Sequence, residues 1–345
     1  MKGGLLLLPH DPPERLGEIA RLAESCGYDH LWLADERFFR EVYASLTLCA
    51  ARTARIRLGP CVTDPYSRHP ALTAMAIATL DELSDGRAVL GLGAGISGFA
   101  ELGVRRDKPA RAIRETATLV RRLLAGETVD VRGDVVRFHA GRLDFAPARP
   151  GVPIYVASNG PLGQRTAGAV ADGAIMEGCA APSEARALAA EVQRGAVETG
   201  RDPGSVELVA RLNACIAADG RAARDVLRPR VARTLGAGRL KFATLESQGL
   251  ALPADARAAV AAVPYSAGFE PYRPIVPLIT DRHVDALTLA GTVEEVTEHV
   301  VALGRAGIGQ VAIHPLAPPG GTVDDTIRRF GEEVLPLVQK VLGHR

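Results

Sequence analysis

Short apolar runs recur along the chain, and the stretches between them carry apolar residues at helical rather than alternating spacing. The first run, Leu5 to Pro9, is followed by Asp11-Pro12-Pro13-Glu14, which reads as a helix N-cap, proline in the first turn and an acid three residues after the cap. Leu16, Ile19, Ala20 and Ala23 then repeat on one helix face, Gly27 stops the helix, and Tyr28 to Ala34 reads as a second buried strand. Further apolar runs follow at Ile56 to Thr63, Ala88 to Ala94, Ile154 to Ala157, Ala174 to Met176, Val206 to Ala217 and Gln310 to His314, separated by helical patterns such as Ile113, Ala117, Val120 and Leu124. The chain thus carries eight strand candidates in series.

Strands that are apolar on both faces and separated by amphipathic helices pair in parallel through right-handed crossovers. Eight in series fit a closed (β/α)8 TIM barrel better than an open sheet. A chain of 345 residues suits this fold as one domain, because such barrels run to about 250 residues and grow by insertion. The rhythm breaks once, over about residues 236–291, where Val263-Pro264-Tyr265 and Pro271 to Pro277 interrupt helical patches such as Pro253 to Val263. This reads as an insertion before the last helix and strand, whose start is marked by the capping box Thr292 to Glu295. Catalytic groups in such barrels project from the C-terminal ends of the strands.

Charge and cysteine content narrow the function. The formal net charge is +1 with no concentrated basic segment, so a large phosphate-neutralising term is missing and nucleic acid is not an expected partner. The run Leu5 to Leu8 is far too short for a signal-peptide core or a membrane span, and the chain reads as a cytoplasmic protein acting on a small molecule, away from membranes. The five cysteines are odd in number and never form a Cys-x-x-Cys pair, so disulfides and structural zinc are not expected and most should be small buried hydrophobes. The eight histidines lack His-Glu-x-x-His spacing, and neither a P-loop nor a Gly-x-Ser-x-Gly elbow is present; no metal is expected.

Four short motifs remain. Gly93-Ala94-Gly95-Ile96-Ser97-Gly98 has the G-x-G-x-x-G form, with Glu115 at a distance that could serve a ribose. Glu115, however, falls inside a helical pattern, and Phe99 to Pro109 does not read as the helix that a dinucleotide fold requires. Thr63-Asp64-Pro65-Tyr66-Ser67-Arg68-His69-Pro70 is rich in reactive side chains, but adjacent residues rarely form a triad, and Ser67 and His69 read better as parts of a strand-to-helix connection. Ser158-Asn159-Gly160-Pro161 ends a strand and opens a helix, whose free N–H groups suit a phosphate, although a simple helix start has the same form. Asp35-Glu36 ends the second strand with paired carboxylates able to handle protons or bind a polar ring edge, unless Asp35 merely caps the next segment.

Taken in order, Leu58-Gly59-Pro60-Cys61-Val62-Thr63-Asp64-Pro65-Tyr66-Ser67-Arg68-His69-Pro70, Asp81-Glu82-Leu83-Ser84-Asp85-Gly86-Arg87, Gly91-Leu92-Gly93-Ala94-Gly95, Lys108-Pro109, the Ser158 to Pro161 loop, Ala171-Asp172-Gly173-Ala174 and Gly291-Thr292 through Gly307 resemble the luciferase-like flavin and deazaflavin oxidoreductases. Within that superfamily they resemble the methylenetetrahydromethanopterin reductases. The likeness covers nearly the whole chain.

That resemblance implies a (β/α)8 barrel binding the 5-deazaflavin coenzyme F420, or FMN as in flavin-using relatives, and a homo-oligomer, commonly a dimer. It places Asp35, Cys61, Val62 and Thr63 against the ring, Gly93, Ala94 and Gly95 along the cofactor channel, and Ser158, Asn159, Gly160 and Pro161 at its phosphate. It also implies a cis peptide between Cys61 and Val62. Two positions depart from the reductase pattern: Glu36 stands where those enzymes have a histidine, and Leu6 where they have a glutamate. The expected activity is hydride transfer between deazaflavin carbon 5 and an unassigned small organic substrate, with Glu36 as proton donor or acceptor and Asp35 beside it. An FMN-dependent monooxygenase is the alternative, and a barrel that only binds a ligand is a third reading.

Overall fold

The computed structural model describes residues 1–343 apart from 37, 238–239 and 264–267. Pro264 and Tyr265, expected within the insertion, therefore lie outside the described residues. In chain order the strands are β1 (Lys2–Leu7), β2 (His30–Leu33), β3 (Arg57–Pro60), β4 (Leu90–Leu92), β5 (Val129–Arg132), β6 (Arg137–Gly141), β7 (Ile154–Ala157), β8 (Gly173–Glu177), β9 (Glu207–Ile216), β10 (Leu289–Gly291) and β11 (Gln310–Pro315). The main sheet runs β3-β2-β1-β11-β9-β8-β7-β4, with β10 added on β9. Parallel bridges from Leu58 to Ala88 and from Thr63 to Leu92 join β3 to β4 and complete the ring. The fold is the (β/α)8 barrel that eight apolar runs in series imply.

Three short strands escape the periodicity. β5 and β6 form an antiparallel hairpin with an irregular register, and apart from the buried Val129 their residues are partly or fully exposed, so they carry no buried-strand signal. β10 is three residues long, below the length at which a pattern exists. One expected cap also differs. The first helix, Pro13–Ser25, takes Pro12 as its N-cap residue with no side-chain bond, so Asp11 does not cap it. Glu14 instead meets Arg52 at 3.0 Å.

Two compact units divide the chain. One comprises Gly4–Ile175 and Leu188–Leu208, with β1, β2 and β3 in continuous parallel register. Its core contains Trp32, fully buried, with His30 stacked on it at 5.6 Å and Tyr155 meeting it edge-on at 5.3 Å. Two of its charged groups are tied down individually. Asp81, 1% exposed, takes a two-pronged bond from Arg149 at 2.7 and 2.8 Å. Arg87 donates to the carbonyls of Ala50, Thr53, Ile56 and Ser84 and to the Thr53 hydroxyl, all within 3.1 Å.

The other unit comprises Met1–Gly3, Met176–Ala187 and Val209–Arg345. Here β9 pairs with β11 from Val209 to Ala214 and with β10 from Ala214 to Ile216. Most of the 236–291 stretch is helical: Leu240–Ser247, Ala254–Ala261, a 3-10 segment Glu270–Leu278 and Asp281–Leu287. Phe242, Leu245, Val260, Tyr272 and Leu287 pack with Leu227, Val231 and Leu235 of the Gly220–Ala237 helix. The capping box expected at Thr292 and Glu295 is formed. The buried Lys241 ammonium is held by Glu184 at 2.7 Å and by the Gly178 carbonyl at 3.1 Å.

Glu115, the residue at ribose-binding distance from the glycine motif, serves the hairpin. Its carboxylate accepts N–H groups from Asp134, Val135 and Val136 at 2.9–3.0 Å. Burial pushes this carboxyl upward, but the three donors and the Arg111 charge outweigh it and hold it below its ordinary range. A carboxyl lowered on folding contributes stability above its unfolded value of about 4.3 and loses it as pH falls through the lower folded value. Glu115→Gln should therefore cost about 1–2 kcal/mol at neutral pH. Urea denaturation across a pH series should show the two proteins converging in acid.

Candidate functional site

The order β2, β3, β4, β7 makes neighbours of four segments that are far apart in the chain. Asp35 and Glu36 follow β2, Cys61 to Thr63 follow β3, Gly93 to Gly95 follow β4, and Ser158 to Pro161 follow β7. Backbone bonds continue the alignment past the strand ends. Cys61 N–H donates to Leu33 O at 2.7 Å, Thr63 N–H to Gly91 O and Gly93 N–H to Thr63 O, both at 3.0 Å. The Cys61–Val62 peptide is cis, as the family likeness implies. All twelve residues expected at the site thus lie at the C-terminal ends of four successive strands.

β3 and β4 approach so closely that at three glycines an added Cβ would clash with the neighbouring segment. A Cβ on Gly59 would lie 1.8 Å from Val89 O, and one on Gly91 2.2 Å from Pro60 O. A Cβ on Gly93 would lie 2.3 Å from Val62 Cγ2, so the Val62 side chain occupies the space that a larger residue would need. The result is a wall of backbone and small groups at the ends of β3 and β4.

Glu36 is half-buried, and its Oε1 accepts the Ser97 hydroxyl at 2.5 Å. Asp35, also half-buried, does not cap the next helix; Glu41 does, accepting from Ala44 N–H at 2.7 Å. Nearby, burial and then the Asp35 charge hold the Tyr43 phenol far above its ordinary value, so it stays neutral. Arg68 lies over the Tyr43 ring at 4.9 Å and pairs with Glu41 at 2.6 Å. The loop beyond β4 is braced by Arg106, which donates to Gly95 O and lies 5.1 Å over Phe99. Phe99 in turn meets Tyr66 edge-on at 6.1 Å. Ser97, Phe99 and Arg106 had no sequence signal beyond their place in a glycine-rich loop.

The Thr63 to Pro70 segment is a connection, as its two prolines suggest. The buried Asp64 carboxylate accepts from Tyr66 N–H at 2.8 Å, Ser67 N–H at 2.9 Å and the Ser67 hydroxyl at 2.6 Å. His69 Nδ1 accepts from Ala71 N–H at 3.1 Å, and its Nε2 lies 2.9 Å from Arg137 O. Both ring nitrogens are thus spent on backbone contacts, and the histidine reads as structural.

After β7, Gly160 is the extended N-cap residue of the Pro161–Val170 helix and supplies no side-chain cap. Ser158 Oγ accepts from Gly160 N–H at 3.2 Å, while Gln164 donates to Ser158 O. With no side-chain cap at Gly160, the first helical N–H groups, from Leu162 on, are left as unpaired donors of the kind that suit an anion. Among the described residues no group of three His, Cys, Asp or Glu could hold a metal ion, and no helix is long and apolar enough to cross a membrane. Cys26, Cys49, Cys179 and Cys215 are buried, and only Cys61, at the site, is partly open.

A family model described as luciferase-like monooxygenase matches residues 1–310. The chain is 32% identical over 341 residues to 5,10-methylenetetrahydromethanopterin reductase from Archaeoglobus fulgidus, covering 98% of this chain and all of that protein. It is 36% identical over 181 residues to an F420-dependent glucose-6-phosphate dehydrogenase from Intrasporangium calvum, covering 47% of this chain and 53% of that one. The solved structure of the coenzyme F420-dependent tetrahydromethanopterin reductase from Methanopyrus kandleri superposes with a TM-score of 0.86 at 28% identity, covering 97% of this chain and 98% of that one.

The seam makes its own prediction. Gly93→Ala should destabilise the protein by about 1–3 kcal/mol through overpacking against Val62. Val62→Ala should recover part of that loss in the double variant, giving a non-additive cycle in chemical denaturation.

Proposed function

Because the chain belongs to the luciferase-like monooxygenase family, we propose that it is an F420-dependent oxidoreductase acting on a small organic substrate. One observation carries the reading: the strand order brings a paired carboxylate, a backbone wall, a glycine-lined loop and an uncapped helix start into one row. The similarity to enzymes named for F420 supports this cofactor over FMN.

When bound, a 5-deazaflavin supplies a hydride at its carbon 5; the protein's task is to orient the partners and handle the proton. Asp35, Cys61, Val62 and Thr63 would hold the ring, with the Val62 side chain packed closely over Gly93. Gly93, Ala94 and Gly95 would line the approach. Ser158, Asn159, Gly160 and Pro161 would receive the phosphate at the start of their helix, whose dipole and free N–H groups favour an anion. Glu36 would give or take the proton. Leu6 is 2% exposed and brings no ionisable group where the reductases have a glutamate, so the reading stops short of their substrate. We read residues 236–291 as a specificity insertion within one luciferase-like domain, and the assembly as a homodimer.

Fluorescence titration tests the cofactor. Saturable quenching of F420, without retention of reduced FMN, is the expected outcome; the reverse would favour the monooxygenase, and binding of neither would leave a ligand-binding barrel. Gly160→Val should weaken F420 binding in a folded protein, because a β-branched side chain crowds the anion's approach. Glu36→Gln should lower turnover by about 10²- to 10⁴-fold while F420 affinity holds. Full activity in that variant would remove Glu36 from the mechanism.

A further inference from the structure

Glu36 has two carboxylate oxygens in unequal surroundings. Oε1 takes the Ser97 hydroxyl at 2.5 Å, whereas among the described residues no bond reaches Oε2. A carboxylate has lone pairs on both oxygens, and a strong donor on one biases the proton towards the other. The loop presents Ser97 in a defined way. Gly95 and Gly98 adopt φ of 63° and 72°, left-handed conformations that cost glycine little. They bracket Ile96 and Ser97, so that Ile96 turns outward, 52% exposed, while the half-buried Ser97 faces Glu36. Arg106 fixes the same turn through Gly95 O.

We infer that Ser97 is a positioning residue for Glu36: by occupying Oε1, it leaves Oε2 as the oxygen that carries the transferred proton. The inference rests on the reading of Glu36 as the proton-transfer group and extends it to a named atom. In the protonated form, Oε2 bears the hydrogen while the Oε1 carbonyl keeps the Ser97 bond; on transfer the proton leaves Oε2 and the electron pair stays on the carboxylate. A fixed carboxyl offers its proton from one direction, whereas a rotating one offers it from two.

The test uses the full chain without cofactor, labelled with ¹³C in glutamate side-chain carboxyls, and isotope-edited infrared spectra of wild type minus Glu36→Gln to isolate the Glu36 bands. In the acidified protein, the carbonyl stretch should move to higher frequency in Ser97→Ala and return in Ser97→Thr, which restores a hydroxyl. F420 affinity should stay within about twofold in both variants, since neither touches the ring-holding residues. An unchanged band in Ser97→Ala, or no return in Ser97→Thr, would overturn the proposal. Full turnover in Glu36→Gln would instead sink the proton-transfer reading, whatever the infrared bands show.

Discussion

The approach of β3 to β4 sets the limits within which the site is built. Two parallel strands are joined there by isolated bridges rather than a full ladder, and the gap between them is filled by backbone. At Gly59, Gly91 and Gly93 a single Cβ would overlap a carbonyl or the Val62 side chain by more than an ångström. Glycine is thus demanded by distance, with no need of an unusual dihedral. The same closeness lets Thr63 donate to Gly91 O and accept from Gly93 N–H beyond the strand ends, carrying the order of the sheet into the loops of the candidate site.

Around this seam, charges fall into two groups. Most buried or half-buried ones are consumed by structure. Asp64 orders a turn, Asp81 locks Arg149, and Arg87 spans a helix end and the entry to β3. Glu24 gathers the N–H groups of Ala54, Arg55 and Ile56 as Glu115 gathers those of the hairpin. Each such carboxylate repays its desolvation by satisfying several donors that would otherwise lie unpaired. Glu36 differs, with one oxygen engaged and the other without a bond among the described residues.

This division also separates the two kinds of residue that carry the family likeness. Asp81-Glu82-Leu83-Ser84-Asp85-Gly86-Arg87 lies outside the site and holds the connection from helix to β4. Gly91 to Gly95 and Cys61 to Thr63 stand at the strand ends themselves. Glu36, at the end of β2, stands with the second kind. A carboxylate needs a donor to fix its orientation. Ser97 is that donor here.

Alternation of apolar runs with helical spacing was enough to read eight parallel strands, because that signal is local and repeats; the closed ring then follows from how buried parallel strands must pair. The glycine motif, the helix start at Pro161 and the carboxylates after β2 were legible for the same reason, each being a short segment with its own chemistry. The hairpin β5–β6 and the three-residue β10 were not, since neither buries a periodic face. Nor was the partner of Glu36, which lies 61 positions along the chain. Which oxygen a hydroxyl reaches, which glycine faces a valine and which acid gathers a distant loop are decided by where the strands place them. No local pattern encodes a distance across the sheet.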